Sequence, residues 1–123
     1  MKIRESAEMY LETILVLSKK GDVRSIDIAR AMDFSRPSVS VTVHNLEKEH
    51  YIKINDNGTI KLEPAGLEIA ERIYERHTVL TDLLVAIGVS EETAAEDACK
   101  IEHDISVETF DCIKKAIKKK GKK

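Results

Sequence analysis

The sequence has no tryptophan and only 4% aromatic residues, so its core must be built mainly from Leu, Ile, Val and Ala, which goes with a helical protein. No apolar run approaches the roughly 18 residues that a membrane span needs, and the N-terminus carries no signal-peptide pattern. A cytoplasmic protein with no membrane partner is therefore expected. Two cysteines, Cys99 and Cys112, are too few for a disulfide framework; in a reducing cytosol they stay thiols, available as ligands or as core. There is no internal repeat, and no low-complexity segment apart from a run of lysines at the end. At 123 residues and 42% hydrophobic the chain can build one ordinary core or two small subdomains, but not a large multidomain protein.

An excess of positive charge is also missing. The net charge of −2 looks wrong for a nucleic-acid binder until it is divided along the chain. Residues 1–62 hold ten Lys and Arg against nine Asp and Glu, residues 63–113 hold three against thirteen, and residues 114–123 hold seven Lys and no acid. An acidic middle attracts cations. A DNA-binding patch would have to arise locally, from Arg24, Arg30, Arg36, Lys53 and Lys61. The lysine run alone reads as a frayed, solvated end.

What the chain does have is a concentration of metal-binding side chains in Cys99-Lys100-Ile101-Glu102-His103. If this stretch is helical, Cys99, Glu102 and His103 stand at i, i+3 and i+4 and share one face, with Glu102 and His103 projecting from an acidic surface. A plainer reading competes, in which a small buried Cys sits beside a solvated Glu-His pair. Two further places weigh against it. Met9 and Glu12 stand at i and i+3 in the first helix, and His77 lies on a long later helix. Thioether, thiolate, imidazole and carboxylate donors together suit a divalent transition metal rather than calcium or magnesium.

In chain order, residues 5–20 read as a first helix with the stripe Ala7, Tyr10, Leu11, Ile14 and Leu17. Ser25 is placed to cap a second helix over 26–32, with Ile26, Ala29 and Met32 inward. Ser35 is placed to cap a third, from Arg36 to about His50, with Pro37 tolerated in its first turn. Val39, Val43 and Leu46 repeat at helical spacing there, leaving Arg36, Ser38, Ser40, Val41 and His44 on other faces. Two short alternating strands, 51–54 and 59–62, flank Asn55-Asp56-Asn57-Gly58, a strong hairpin signal. Helix, helix, helix, hairpin is the winged-helix order, and the hairpin reads as a DNA-touching wing. Pro64-Ala65-Gly66 opens a fourth helix to about Ile87, with Leu67, Ala70, Ile73, Tyr74, Leu80, Leu84 and Val85 as its apolar set. Gly88 stops it. Ser90 caps a fifth helix carrying Cys99 to His103, and Ser106 a sixth with the stripe Val107, Phe110, Ile113 and Ile117.

The sequence resembles the diphtheria-toxin-repressor and manganese-transport-regulator family of metal-dependent transcriptional repressors. The likeness covers nearly the whole chain: Glu8-Met9-Tyr10-Leu11-Glu12, Ile28-Ala29-Arg30, Ser35 to Val43, Pro64-Ala65-Gly66, Arg76-His77 and Cys99-Lys100-Ile101-Glu102-His103. It implies a mostly α protein, with a winged helix-turn-helix DNA-binding domain with a two-stranded wing over residues 1–63. A helical metal-binding and dimerisation domain with a lysine-rich tail would follow over 64–123, and a metal site would lie at the junction. By the same resemblance Met9, Cys99, Glu102 and His103 match metal ligands of iron-type members, and Glu12 and His77 match ligands of manganese-type members. Ala95 and Thr81 stand where iron-type members have further accessory ligands, so a complete accessory site of that type is not expected. The recognition helix would be Ser35 to about His50. Ser35, Arg36, Ser38, Ser40 and His44 would lie near phosphates or base edges, Pro37 would touch a thymine methyl, and Arg24, Lys53 and Lys61 would add backbone contacts. Val41 departs from the polar residue of iron-type members.

The function implied is a homodimeric repressor that binds double-stranded operator DNA when Fe(II) or Mn(II) is bound, controlling metal-uptake genes, with no small-molecule substrate. Co(II), Ni(II) or Zn(II) would act as substitutes. A winged-helix regulator with a vestigial or structural metal site is the alternative. A non-haem iron enzyme built on His77, His103 and Glu102 is disfavoured, because six candidate ligands leave few of the open positions that metal catalysis needs.

Overall fold

A computed structural model describes the backbone of residues 2–121 and the side chains of residues 6–117. The elements among the described residues are α1 (Lys2–Ser18), α2 (Ser25–Met32), α3 (Arg36–Lys48), β1 (Ile52–Ile54), β2 (Ile60–Leu62), α4 (Pro64–Ala86), α5 (Glu91–Ile101) and α6 (Val107–Gly121). The chain forms two compact units, Met1–Glu71 and Arg72–Lys123, so α4 contributes its first turns to one and the remainder to the other. None of the described helices is long and apolar enough to cross a membrane.

The N-terminal unit is packed from the helical stripes. Tyr10, Leu11 and Ile14 of α1, Ile28 and Ala29 of α2, and Val39, Val43 and Leu46 of α3 form one cluster with Val23, Ile52, Ile60 and Ala70. On α2 the inward set differs from the periodicity, since Ile28 is fully buried while Ile26 and Met32 are half-buried. The α2 start also differs. Ser25 is the first helical residue, and the cap position is Arg24, whose backbone N–H donates to the Asp27 carboxylate at 2.9 Å. That carboxylate makes the reverse half of a capping box, reaching back to the amide of the cap residue. Asp33 closes α2 in the left-handed region, φ 59°, a conformation that Asp tolerates better than most residues. Ser35 does cap α3, accepting from the Ser38 N–H at 3.3 Å.

The strands pair antiparallel in the register Ile52 with Leu62, Lys53 with Lys61, and Ile54 with Ile60. Ile52 and Ile60 are buried while Lys53 and Lys61 are exposed, as the two-residue period of a strand requires. The Ile60 N–H donates to the Val23 carbonyl at 2.7 Å, and the Ile54 N–H to Glu47 Oε2 at 3.1 Å. These bonds fix the hairpin against the α1–α2 connection and against α3. The Tyr51 carbonyl accepts from the Glu63 N–H at 2.9 Å, and a Cβ on Gly66 would stand 2.1 Å from that same oxygen. Gly66 is thus required by the close approach of α4 to the hairpin backbone.

In the C-terminal unit α4 is closed by Gly88, φ 110°, just past its last residue Ala86, with Gly88 N–H to Val85 O at 3.0 Å and Val89 N–H to Leu84 O at 2.9 Å. This is the pair of bonds of a glycine-closed helix end. Ser90 and Ser106 cap α5 and α6 through the N–H groups of Thr93 and Thr109. Ile73, Leu80, Ala94, Ala98 and Phe110 are buried. Leu67, Val85 and Val107, expected to face inward, are instead 37%, 38% and 63% exposed. Val107 is the first residue of α6, where the helix has barely begun to pack. Glu75 hydrogen-bonds Lys114, which holds the Lys114 amine above its ordinary pKa and ties α6 to α4. The α6 backbone continues helical through Gly121, so the lysines at 118–120 are part of a helix rather than a frayed end. Their side chains, with Lys122 and Lys123, lie outside the described residues.

Candidate metal centre and nucleic-acid interface

Helix α5 ends at Ile101, Glu102 is its C-cap with φ −59° and ψ −24°, and His103 belongs to the following turn. Cys99, Glu102 and His103 therefore do not line one face of a helix. Nor do Glu102 and His103 project from a solvated acidic surface: the Glu102 side chain is 0% exposed and the His103 side chain 1%. Cys99 is only half-buried. The plainer reading of this stretch is thus reversed, with the carboxylate inside and the thiol nearer the surface.

A fully buried carboxylate is costly unless charge or hydrogen bonds compensate it. One imidazole hydrogen-bonds it here, and a second lies close by. His77 Nδ1, from α4, lies 2.9 Å from Glu102 Oε1, and His103 Nε2 lies 3.4 Å from Glu102 Oε2. Oε2 nonetheless makes no hydrogen bond among the described residues. The arrangement is one buried carboxylate with an imidazole nitrogen beside each oxygen and one oxygen with acceptor capacity to spare. Such a donor set fits a divalent transition metal, for which imidazole and carboxylate are common ligands.

A fourth residue completes the setting, one that the reading of the sequence did not place in the site. Arg76 is 8% exposed. Its Nη1 donates to the carbonyl of Glu102 at 2.9 Å and to that of Ile105 at 3.1 Å, and its guanidinium lies 5.3 Å from the centre of the Phe110 ring. Carbonyls at a helix C-terminus have no partner within the helix, and here one cation satisfies that of the C-cap Glu102 together with the Ile105 carbonyl of the connection. The sequence signal was a charged residue in the buried register of α4, at i+3 from Ile73 and i−4 from Leu80. Of the accessory positions, Ala95 is half-buried, and the Thr81 hydroxyl is buried without a hydrogen-bond partner among the described residues. Met9 and Glu12, on α1 of the N-terminal unit, are both half-buried.

The candidate DNA-binding residues all lie in the N-terminal unit. Arg36, Pro37, Ser38, Val41 and His44 are exposed on α3, and Ser40 is half-buried. Val41 is 62% exposed, a large apolar side chain in water on a helix whose opposite face is fully packed. The Ser35 hydroxyl donates to Ser38 Oγ at 2.9 Å, and His44 Nδ1 donates to the Ser40 carbonyl at 2.8 Å. On the hairpin, Lys53 and Lys61 are direct cross-strand partners and both exposed. Like charges opposed on a sheet are mutually destabilising, and an anion laid across them removes that cost. Arg24 Nη2 donates to the Asn57 carbonyl at 3.2 Å, which ties the start of α2 to the hairpin turn.

Comparison with known proteins matches both halves of the chain. Residues 2–59 match the family model described as iron dependent repressor, N-terminal DNA binding domain, and residues 63–121 match iron dependent repressor, metal binding and dimerisation domain. The HTH-type transcriptional regulator MntR of Geobacillus kaustophilus (strain HTA426) is 38% identical over 109 residues, spanning 88% of this chain and 77% of that protein. The transcriptional regulator MntR of Salmonella typhimurium (strain LT2) is 32% identical over 109 residues, spanning 88% of this chain and 69% of its own length. Among solved structures, IdeR of T. acidophilum aligns with a TM-score of 0.76 at 31% identity, over 86% of this chain and 51% of that one. The manganese regulator SloR aligns with a TM-score of 0.81 over 91% of this chain and 53% of its own. Its 24% identity speaks for the fold alone. The chain spans about half the length of these two solved structures.

Proposed function

This chain belongs to the iron-dependent repressor family of diphtheria-toxin repressors and manganese-transport regulators, a family of metal-dependent transcriptional regulators and not of enzymes, and from that premise we propose how its own residues divide the work. It binds double-stranded operator DNA as a homodimer in the cytoplasm when Fe(II) or Mn(II) is held through Glu102, and so represses metal-uptake genes. The observation that carries this reading is the buried Glu102 carboxylate with an imidazole beside each of its oxygens.

Glu102, His77 and His103 are the proposed core of the ligand set, with Cys99 and, from α1, Met9 and Glu12 as further donors. A bound divalent ion supplies the positive charge that these donors share. It favours the DNA-binding state only to the extent that it binds that state more tightly. On the DNA side, Ser35, Arg36, Pro37, Ser38, Ser40, Val41 and His44 of the α3 region face the major groove. Arg24, Lys53 and Lys61 meet phosphates.

The donor set bears on which ion activates. Sulfur from Met9 and Cys99 favours Fe(II) over Mn(II), whereas His77 and Glu102 are equally at home with Mn(II). The two sulfurs therefore set the preference: Fe(II) activates at lower free concentration than Mn(II), with Co(II), Ni(II) or Zn(II) as substitutes, and Met9→Asp with Cys99→Glu narrows or reverses the gap. The test is an anaerobic, metal-buffered titration of binding to duplexes selected from a random pool. A dimer predicts a pseudo-palindromic selected sequence. Binding that does not depend on metal overturns the proposed function, and activation by Mn(II) at or below the Fe(II) concentration overturns the role of sulfur.

A further inference from the structure

We infer that Arg76 is a positioning residue that presets the metal ligands Glu102 and His103, an inference that rests on the ligand set proposed above. The starting point is where those two ligands sit. Neither is on a regular helix, since α5 ends at Ile101 and a short turn leads to α6 at Val107. The turn has two backbone bonds at its start, Glu102 N–H to the Ala98 carbonyl and Asp104 N–H to the Ile101 carbonyl, both 2.9 Å, but it is no regular element, and local openings concentrate in such segments. Metal ligands, in contrast, have to be held to within about half an ångström of their working positions.

Arg76 adds a constraint from outside the turn, on its carbonyls. Its Nη1 spans the turn by donating to carbonyls three residues apart, Glu102 at 2.9 Å and Ile105 at 3.1 Å. Phe110, in the first turn of α6, packs under the same guanidinium at 5.3 Å. One planar cation thereby engages the end of α5, the connection and the start of α6. The bond to the Glu102 carbonyl matters most, because it fixes the backbone of the very residue whose carboxylate faces both imidazoles. Arg76 is also the residue before His77, so the helix that presents one imidazole to Oε1 is the helix that grips the backbone of Glu102. Lysine keeps the charge but not the planar group that donates and stacks at once.

The role predicts an effect on metal affinity and on coordination geometry, whereas a merely stabilising arginine would change the melting temperature and leave the saturated site alone. The experiment is a Co(II) titration of the full chain, followed by visible absorption, on the unaltered protein, Arg76→Lys and Arg76→Met. For Arg76→Lys, with helix content unchanged, we expect Co(II) binding about tenfold weaker, the lower end of what loss of an outer-shell partner costs, and a shifted spectrum at saturation. Arg76→Met, where it folds, is expected to be weaker again. Wild-type affinity and spectrum in Arg76→Lys would overturn the inference, as would weaker binding with an unchanged saturated spectrum. His103→Gln in the otherwise unaltered chain separates this from the reading beneath it. If that change leaves Co(II) binding untouched, the ligand assignment has failed and not the role of Arg76.

Discussion

The two units carry function in opposite ways. In the N-terminal unit the apolar residues are inside and the candidate working groups outside. Val39, Val43 and Leu46 are buried on one side of α3, while Arg36, Val41 and His44 stand in solvent on the others. In the C-terminal unit two of the candidate working groups are part of the core. Glu102 is as buried as Ala94 or Ala98, and Arg76 nearly so. The difference follows from the ligands each must take. A DNA duplex is larger than the domain and has to be met on a surface, whereas a metal ion is smaller than a side chain and is held best where water is excluded and donors are preset. Changes in the first unit should therefore be graded and additive, and changes in the second abrupt.

The largest effect is expected from replacing both Glu102 and His103 with Gln. Metal-stimulated DNA binding should be abolished in a gel-shift series, while circular dichroism shows helix content close to the starting protein. The fold is expected to survive because Gln has nearly the volume of Glu, keeps an oxygen to accept from His77, and carries no charge to be buried. Retained metal stimulation would break the comparison, since the buried cluster would then be structural only.

Next in size is Gly66→Ala in the N-terminal unit. The added methyl would stand 2.1 Å from the Tyr51 carbonyl oxygen, and backbone has to move to admit it. A loss of about 1–3 kcal/mol is expected, the usual cost of overpacking, read as a lower urea midpoint. A midpoint equal to that of the unaltered chain would mean that α4 does not need its close approach to the hairpin.

The same contrast explains what could be read from sequence. Period-3.6 stripes on α1 and α3, the Asn-Gly hairpin and the Ser35, Gly88, Ser90 and Ser106 boundaries are local signals, set by residues within a few positions of one another. They were legible for that reason. The burial of Glu102 was not, because it depends on His77 and Arg76, some 25 residues earlier in the chain. Helical spacing was also the wrong geometry for Cys99 and His103, as α5 stops between them. Nothing in the local sequence between Lys100 and Ser106 marks that stop, which has neither glycine nor proline. The carbonyls there are satisfied by Arg76 instead of by a terminating residue. On α2, Ser25 is a sound capping residue in the wrong register, because the helix begins one residue earlier, with the Arg24 carbonyl accepting from the Asp27 and Ile28 amides and the Asp27 carboxylate accepting from the Arg24 amide.

A moderate effect is expected on the hairpin. Lys53→Ala and Lys61→Ala should each weaken binding to all duplexes alike and flatten the dependence of log affinity on log salt by about one unit. Each single change also relieves the cross-strand repulsion in the free protein, so neither should lower the stability of the unbound chain. A change in sequence preference, with the salt slope intact, would show the lysines reading bases and not phosphates.

The smallest effect concerns Val41, and it tests whether the outer face of α3 discriminates at all. Val41 is 62% exposed and stands four residues after Pro37, so the two present adjacent apolar surface on one face of the helix. Water gains nothing from such a face, but the major groove offers one apolar feature that it can meet, the C5 methyl of thymine. Replacing the thymines of a selected duplex one at a time by uracil removes that methyl and leaves every hydrogen-bonding edge in place. At one position the loss should be a few-fold, about 1 kcal/mol or less for a single methyl, and Val41→Ala should erase the distinction between thymine and uracil there. Because Val41 makes no part of the apolar core, the same change should leave the denaturation midpoint within experimental error. A thymine preference that survives Val41→Ala unchanged would assign the methyl contact to Pro37 alone.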